Sequence, residues 1–157
     1  MLKKYTLAFL ISMVPLIELR GGVPVAMTLG MSAPEAIALC AIGNMLPVPI
    51  IYLFASKLLV WGSAKPYIGG IFSKFLDKGE KAGQKLVATA SRKGLFIALL
   101  LFVGIPLPGT GAWTGTLAAS LLNMGWNSTT GAVSLGVVLA GIIMATVSSL
   151  GLHIFGL

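Results

Sequence analysis

Apolar runs broken by clusters of glycine and proline set the pattern of this chain. Tyr5 to Ile17 is apolar apart from Thr6 and Ser12. About 13 helical residues reach only about 20 Å, short of the roughly 30 Å hydrocarbon core of a bilayer. Glu18-Leu19-Arg20-Gly21-Gly22-Val23-Pro24 interrupts the run, and Val25 to Leu29 is a short apolar exit. Gly30 to Pro34 reads as a turn and a helix start, with Ser32 as N-cap, Pro34 in the first turn and Glu35 at the positive end of the dipole. Ala36 to Trp61 carries no charge but Lys57 and is long enough to span. Its Gly43-Asn44 and Pro47-Val48-Pro49 predict a kink or an unwound stretch at mid-depth.

After a charged linker, Gly94 to Val103 re-enters apolar sequence and meets a denser break. Gly104-Ile105-Pro106-Leu107-Pro108-Gly109-Thr110-Gly111-Ala112-Trp113-Thr114-Gly115 holds two prolines and four glycines. Proline removes an N–H, and glycine tolerates dihedrals that other residues avoid. Non-helical backbone at membrane depth survives only when buried in protein or facing a wet cavity. Paired interrupted segments are the sequence pointer to a transport site. The first half supplies the partner, with Gly21, Gly22 and Pro24 as its hairpin-break residues. Thr116 to Leu122 leaves the second break, Asn123 to Ser128 is a turn holding Trp126, and Thr129 to Leu152 is a second long span.

The halves therefore share one order: short apolar run, broken segment, short exit, turn, long span. The breaks start at Pro15 and Pro106, the turn glycines are Gly30 and Gly125, and the spans run to Trp61 and Leu152. The expected fold is an all-α integral membrane protein in one domain, 1–157. Repeat one covers 5–61, a cytoplasmic linker 62–93, and repeat two 94–152. In one arrangement each broken segment is a re-entrant helical hairpin and the repeats are inverted. In the other the broken segments cross fully, giving four spans and a parallel repeat. Short runs of roughly 10 residues favour re-entry. Lys3 and Lys4, inside only with four spans, vote weakly for full crossing.

Composition agrees with a membrane protein. Of 157 residues, 57% are hydrophobic and 10% charged, against about 25% charged in soluble domains. The net charge of +7 sits mainly between Lys57 and Lys93 with few aromatics, which marks a cytoplasmic linker rather than a nucleic-acid surface. Within that linker Ile68, Ile71, Phe72, Phe75 and Leu76 follow an amphipathic helical pattern, suited to an anionic leaflet or to a packing face. The one cysteine, Cys40, excludes a disulfide within the chain and reads as a small buried hydrophobe.

Glu18 and Arg20 are the charges set deepest in apolar sequence, and an intramembrane ionisable group is a functional candidate by default. Arg20 suits phosphate or carboxylate binding through its planar fork, and Glu18 suits a coupling proton. Equally open are an ion pair pinning the break and a place at the interface. Pro106, Pro108, Gly109, Thr110 and Gly111 lead into a helix start, where backbone N–H groups form an anion-binding concavity. Trp113 and Thr114 would line the same cavity. Asn44 reads as a substrate contact or an interhelical hydrogen bond, and His153 as a surface group or a proton relay. No metal-ligand spacing, nucleophile elbow or Walker-type loop is present, so no enzyme, no metal and no cofactor is expected.

Glu18 to Pro24, Gly43-Asn44 with Pro47-Val48-Pro49, and Pro106 to Gly115 together resemble the small bacterial and archaeal membrane proteins named "putative small multi-drug export protein". That family resembles a compact form of the DedA (VTT-domain) superfamily. The resemblance implies two facing re-entrant hairpins in an inverted repeat, and proton-linked movement of lipid phosphates with acidic and arginine residues near the hairpins. This chain departs from that pattern in its shortness and in a second break without acid or arginine. The expected function is a multi-pass plasma-membrane transporter or flippase for an anionic, phosphate-bearing lipid or amphiphile, proton-coupled through Glu18. The alternatives are proton-coupled export of small amphipathic drugs and a non-transporting structural or regulatory membrane protein. Expected partners are membrane lipids, an amphiphilic substrate and a second copy in a homodimer, with no nucleic acid.

Overall fold

A computed structural model describes residues 2–15, 17–64, 70 and 91–155, and among these the chain is helical with no strand. The helices are α1 (Leu2–Met13), α2 (Glu18–Thr28), α3 (Ala33–Met45), α4 (Val48–Ser63), α5 (Arg92–Gly104), α6 (Ala112–Leu121) and α7 (Trp126–Phe155). The amphipathic pattern expected at Ile68 to Leu76, and most of the linker 62–93, lie outside the described residues.

Glycines set how closely these helices approach. A Cβ at Gly22 would stand 3.1 Å from Cβ of Ser12 and 3.0 Å from Sγ of Cys40, so α2 folds back tightly on α1 and α3. A Cβ at Gly43 would meet Oγ of Ser12 at 2.2 Å and the Phe9 carbonyl at 2.9 Å, which brings α3 alongside α1. The second half repeats the device: Gly115 packs on Val103 and Leu99, and Gly136 on Val103 and the Leu100 carbonyl. Small residues at crossings let backbones approach where lipid supplies no hydrophobic drive. The α3 and α7 helices cross antiparallel, Ile37 beside Gly141 and Met45 beside Ser134.

Gly21, Gly22 and Pro24, expected to break the first segment, are helical residues of α2. Proline inside a helix removes one bond, and the surrounding packing holds the turn. The actual interruption falls earlier, between Met13 and Glu18, and Glu18 takes the positive φ of 52° that ends it. At the expected kink, α3 stops at Met45 and α4 restarts at Val48. Pro47 and Pro49 sit where a first helical turn has spare N–H positions. Ser32 and Glu35 close the start of α3, with the Ser32 N–H and hydroxyl 3.0 and 2.8 Å from Oε2 of Glu35.

A constant shift of 93 residues relates the turns after α2 and α6. Leu29, Gly30 and Met31 donate to the carbonyls of Val25, Met27 and Ala26; Leu122, Asn123 and Met124 donate to those of Ala118, Ser120 and Ala119. Gly30 and Asn123 share a left-handed φ, 79° and 50°. This is the helix C-terminal turn that glycine or asparagine completes. The counterpart of Gly30 in this turn geometry is thus Asn123 rather than Gly125.

The segment α3–α4 runs from one helical pair to the other. It starts near the Lys4 ammonium, 3.5 Å from the Gly30 carbonyl. By Tyr52 it has reached the far end of the second pair. There Ser120 donates to the Tyr52 carbonyl at 3.0 Å, and the Tyr52 hydroxyl donates to the Met124 carbonyl. The pairs α1–α2 and α5–α6 consequently point toward each other. Ala33–Phe54 and Trp126–Gly151 are long and apolar enough to cross a bilayer, and only 28% and 33% of an 18-residue apolar stretch in each is buried. Ile50, Leu53, Leu135, Val138 and Ile142 are exposed on them, a surface suited to hydrocarbon rather than water.

Candidate functional site

The two breaks meet. Glu18, 4% exposed, opens α2 and projects into the start of α6. Its Oε1 accepts from the Trp113 N–H at 3.0 Å and its Oε2 from the Ala112 N–H at 3.2 Å. The first N–H groups of a helix have no internal partner and carry the positive end of the dipole, so a carboxylate is the natural complement. Gly111 makes room for it. Its φ of 145° suits glycine, and a Cβ there would stand 2.1 Å from Oε2 of Glu18.

Arg20, two residues on, engages the other flank of the same break. Its Nη1 donates to the Leu107 carbonyl; its Nη2 donates to Oγ1 of Thr110 at 2.7 Å and to the Ile105 carbonyl at 3.3 Å. Thr110 passes the contact on, its hydroxyl 2.9 Å from the Leu107 carbonyl and 3.1 Å from that of Ile105. These carbonyls belong to backbone that has just left α5 and has lost its helical donors. A guanidinium carries five donors in a fixed fork, which suits it to several diverging acceptors. Each charge faces the opposite break, with opposite polarity. Among the described residues the two make no mutual ion pair within 4 Å.

The other expected site residues divide. Thr110, Gly111 and Trp113 join the contact directly. Pro108 and Gly109 form its exposed rim, with Gly109 at φ 79°, and Pro106 is half-buried beside them. Thr114 turns to its own helix, its hydroxyl 3.5 Å from the Gly111 carbonyl. Asn44 is 2% exposed and its Oδ1 has no partner. The same holds for Nε1 of Trp113 and Oγ1 of Thr116. Sequence reasoning passed over Thr116 because a threonine in an apolar run carries no pattern of its own; only its burial and missing partner single it out. An apolar groove of about 450 Å³ between α3 and α7, lined by Ala41, Ile42, Met45, Leu46, Ser134, Val137 and Val138, takes in none of the expected site residues. No cluster of metal-ligating side chains occurs among the described residues.

Two long apolar helices, a largely lipid-suited surface and a polar junction between facing breaks define a small helical membrane protein. The family described as "Putative small multi-drug export protein" matches residues 18–143, beginning at Glu18 and including the second break, and the chain belongs to that family. No curated protein and no solved structure matches the chain.

Proposed function

We propose that this protein is a secondary transporter for an anionic, phosphate-bearing lipid or amphiphile. The observation that carries the reading is the reciprocal contact of Glu18 and Arg20 with the second break. One acid and one base sit in apolar sequence at a junction of interrupted helices, the arrangement from which mid-membrane transport sites are built. In this reading α1–α2 and α5–α6 are re-entrant hairpins of an inverted repeat, as the DedA resemblance implies. The shared turn geometry and the approach of the two pairs from opposite ends of α3–α4 support it. Arg20 and the backbone from Pro106 to Gly111 take the anion, Asn44, Trp113 and Thr114 line its path, and Glu18 carries the coupling proton. The linker 62–93 faces the cytoplasm of a plasma-membrane protein, and no step of the cycle is enzymatic.

The test is translocation of a labelled alkyl phosphate in proteoliposomes, comparing the wild type with Glu18→Gln and Arg20→Ala. Both variants are expected to lose most transport while melting as folded proteins. Unchanged rates in folded variants would overturn the reading.

The family's description supports a second reading, proton-coupled export of amphipathic drugs. Resistance profiles on overexpression separate the two: protection against cations that survives Arg20→Ala favours drug export. Tolerance of substitution at both charges, without flux of either substrate class, favours a structural membrane protein in which the contact only fastens the two pairs.

A further inference from the structure

We infer that this protein is a homodimer joined tip to tip through its second break, the turn from Leu107 to Thr110 of each copy meeting its counterpart at the middle of the membrane. The inference goes beyond the transport reading: it rests on α7 crossing the bilayer and on no substrate.

Depth is the first observation. Gly104 ends α5 against α7, where a Cβ would stand 2.7 Å from Cδ2 of Leu139. Leu139 lies near the midpoint of the apolar stretch Trp126–Gly151, about 20 Å from either end at the rise of an α-helix. Leu19 lies beside Gly141, so the first break sits at a similar depth. The backbone that follows Gly104 therefore leaves its helix at the bilayer centre.

That backbone is only partly covered. Arg20 and the Thr110 hydroxyl take the carbonyls of Ile105 and Leu107. Beyond them the Thr110 N–H donates to the Leu107 carbonyl at 3.2 Å, with Pro108 and then Gly109, at φ 79°, in the two central positions. This is the arrangement of a type II turn, and it leaves the central peptide group pointing away from its own hydrogen bond. Among the described residues the Pro108 carbonyl and the Gly109 N–H have no partner, and both residues are exposed. A Cβ at Gly109 would meet nothing within 4 Å. Hydrocarbon satisfies no peptide group, so irregular backbone at this depth is tolerated only against protein or in a wet cavity.

The surroundings select protein. Ile97, Leu101 and Ile105 are exposed at a spacing of one helical turn and lead to Leu107, itself 55% exposed. The polar side chains beside the turn, Arg20 and Thr110, direct their bonds inward to the carbonyls of the same break. An apolar stripe ending in a single free peptide group has the make-up of an interface core rather than of a water channel. The partner is a second copy because that peptide group is self-complementary, with one donor and one acceptor. A two-fold axis sets each copy's Gly109 N–H against the partner's Pro108 carbonyl. Gly109 lets the two turns approach closely, and the turn carries no charged residue to repel its counterpart. The second copy would also cover the backbone that Arg20 grips, completing the wall of the junction.

The experiment counts chains of the full-length protein by single-molecule photobleaching in phosphatidylcholine vesicles at low protein density. In parallel, Leu107→Cys and Ile142→Cys are oxidised in the same vesicles. Ile142 is exposed on α7 close to the depth of Leu139, and the native Cys40 is fully buried. Pairs of chains are expected, with a disulfide-linked dimer in Leu107→Cys and none in Ile142→Cys. Leu101→Ala combined with Leu107→Ala trims only exposed side chains and is expected to weaken pairing about tenfold or more at an unchanged melting temperature. Single chains throughout overturn the inference. So do cross-linking through Ile142→Cys alone and undiminished pairing in the double variant. Labelling of Leu107→Cys by a membrane-impermeant maleimide also overturns it, by assigning the tip to a wet cavity. None of these outcomes alters the translocation test, so the dimer and the transport reading fail separately.

Discussion

The two breaks hold corresponding places in the two halves and are filled in opposite ways. A shift of 93 residues carries Glu18 onto Gly111, and both take positive φ, 52° and 145°. In the first half this position holds a carboxylate; in the second it holds the one residue that leaves a carboxylate room. Two positions later the first half has Arg20 and the second Trp113, whose N–H meets Glu18. A second break with its own acid would place two like charges together in a buried junction, and a first break without charges would leave backbone groups of the second unsatisfied. The two breaks therefore form one unit, polar side chains on one and exposed backbone on the other.

The sharpest way to break that complementarity is at Gly111. Gly111→Ala puts a methyl group 2.1 Å from the Glu18 carboxylate and strains a positive φ. A loss of about 3 kcal/mol or more is expected, read as a collapse of the melting temperature in detergent. Combining it with Glu18→Ala should recover part of the loss, which a backbone effect alone would not. Next comes Glu18→Ala by itself, which strands two helix N-terminal donors and should cost about 2 kcal/mol by thermal unfolding. Arg20→Ala is smaller, about 1 kcal/mol, because its partners lie at the exposed rim. Arg20→Lys should recover little of it, since an ammonium does not reproduce the fork. The smallest effect tests the correspondence of the two turns. Asn123→Gly relieves a left-handed asparagine and should gain a few tenths of a kcal/mol, whereas Gly30→Ala should lose about 1 kcal/mol. Opposite signs at these two positions would sharpen the correspondence.

Much of the site was legible in the chain. Glu18, Arg20, Thr110, Gly111 and Trp113 stand out because charge, glycine and proline are conspicuous in apolar sequence. Their partners were not legible, because pairing across some ninety residues depends on how α3–α4 carries one helical pair to the other. Gly21, Gly22 and Pro24 were misread as a break for a physical reason. Glycine in a membrane helix serves either a bend or a close approach, and only the neighbours Ser12 and Cys40 decide which. The register that relates the two turns was hidden by its thin markers. Gly22 and Gly115, Met31 and Met124, and Gly43 and Gly136 recur, but glycine and methionine are common here, and the glycine at 125 was the more obvious match for Gly30.

The most direct measurement of whether the breaks form one unit is the amide ¹H–¹⁵N resonances of Ala112 and Trp113 in the wild type and in Glu18→Gln. Both amides are expected to move upfield in proton shift by more than any other resonance of α6, because each loses a carboxylate partner contributed from 94 and 95 residues away. Unmoved resonances in a folded variant would contradict the contact and the site built on it.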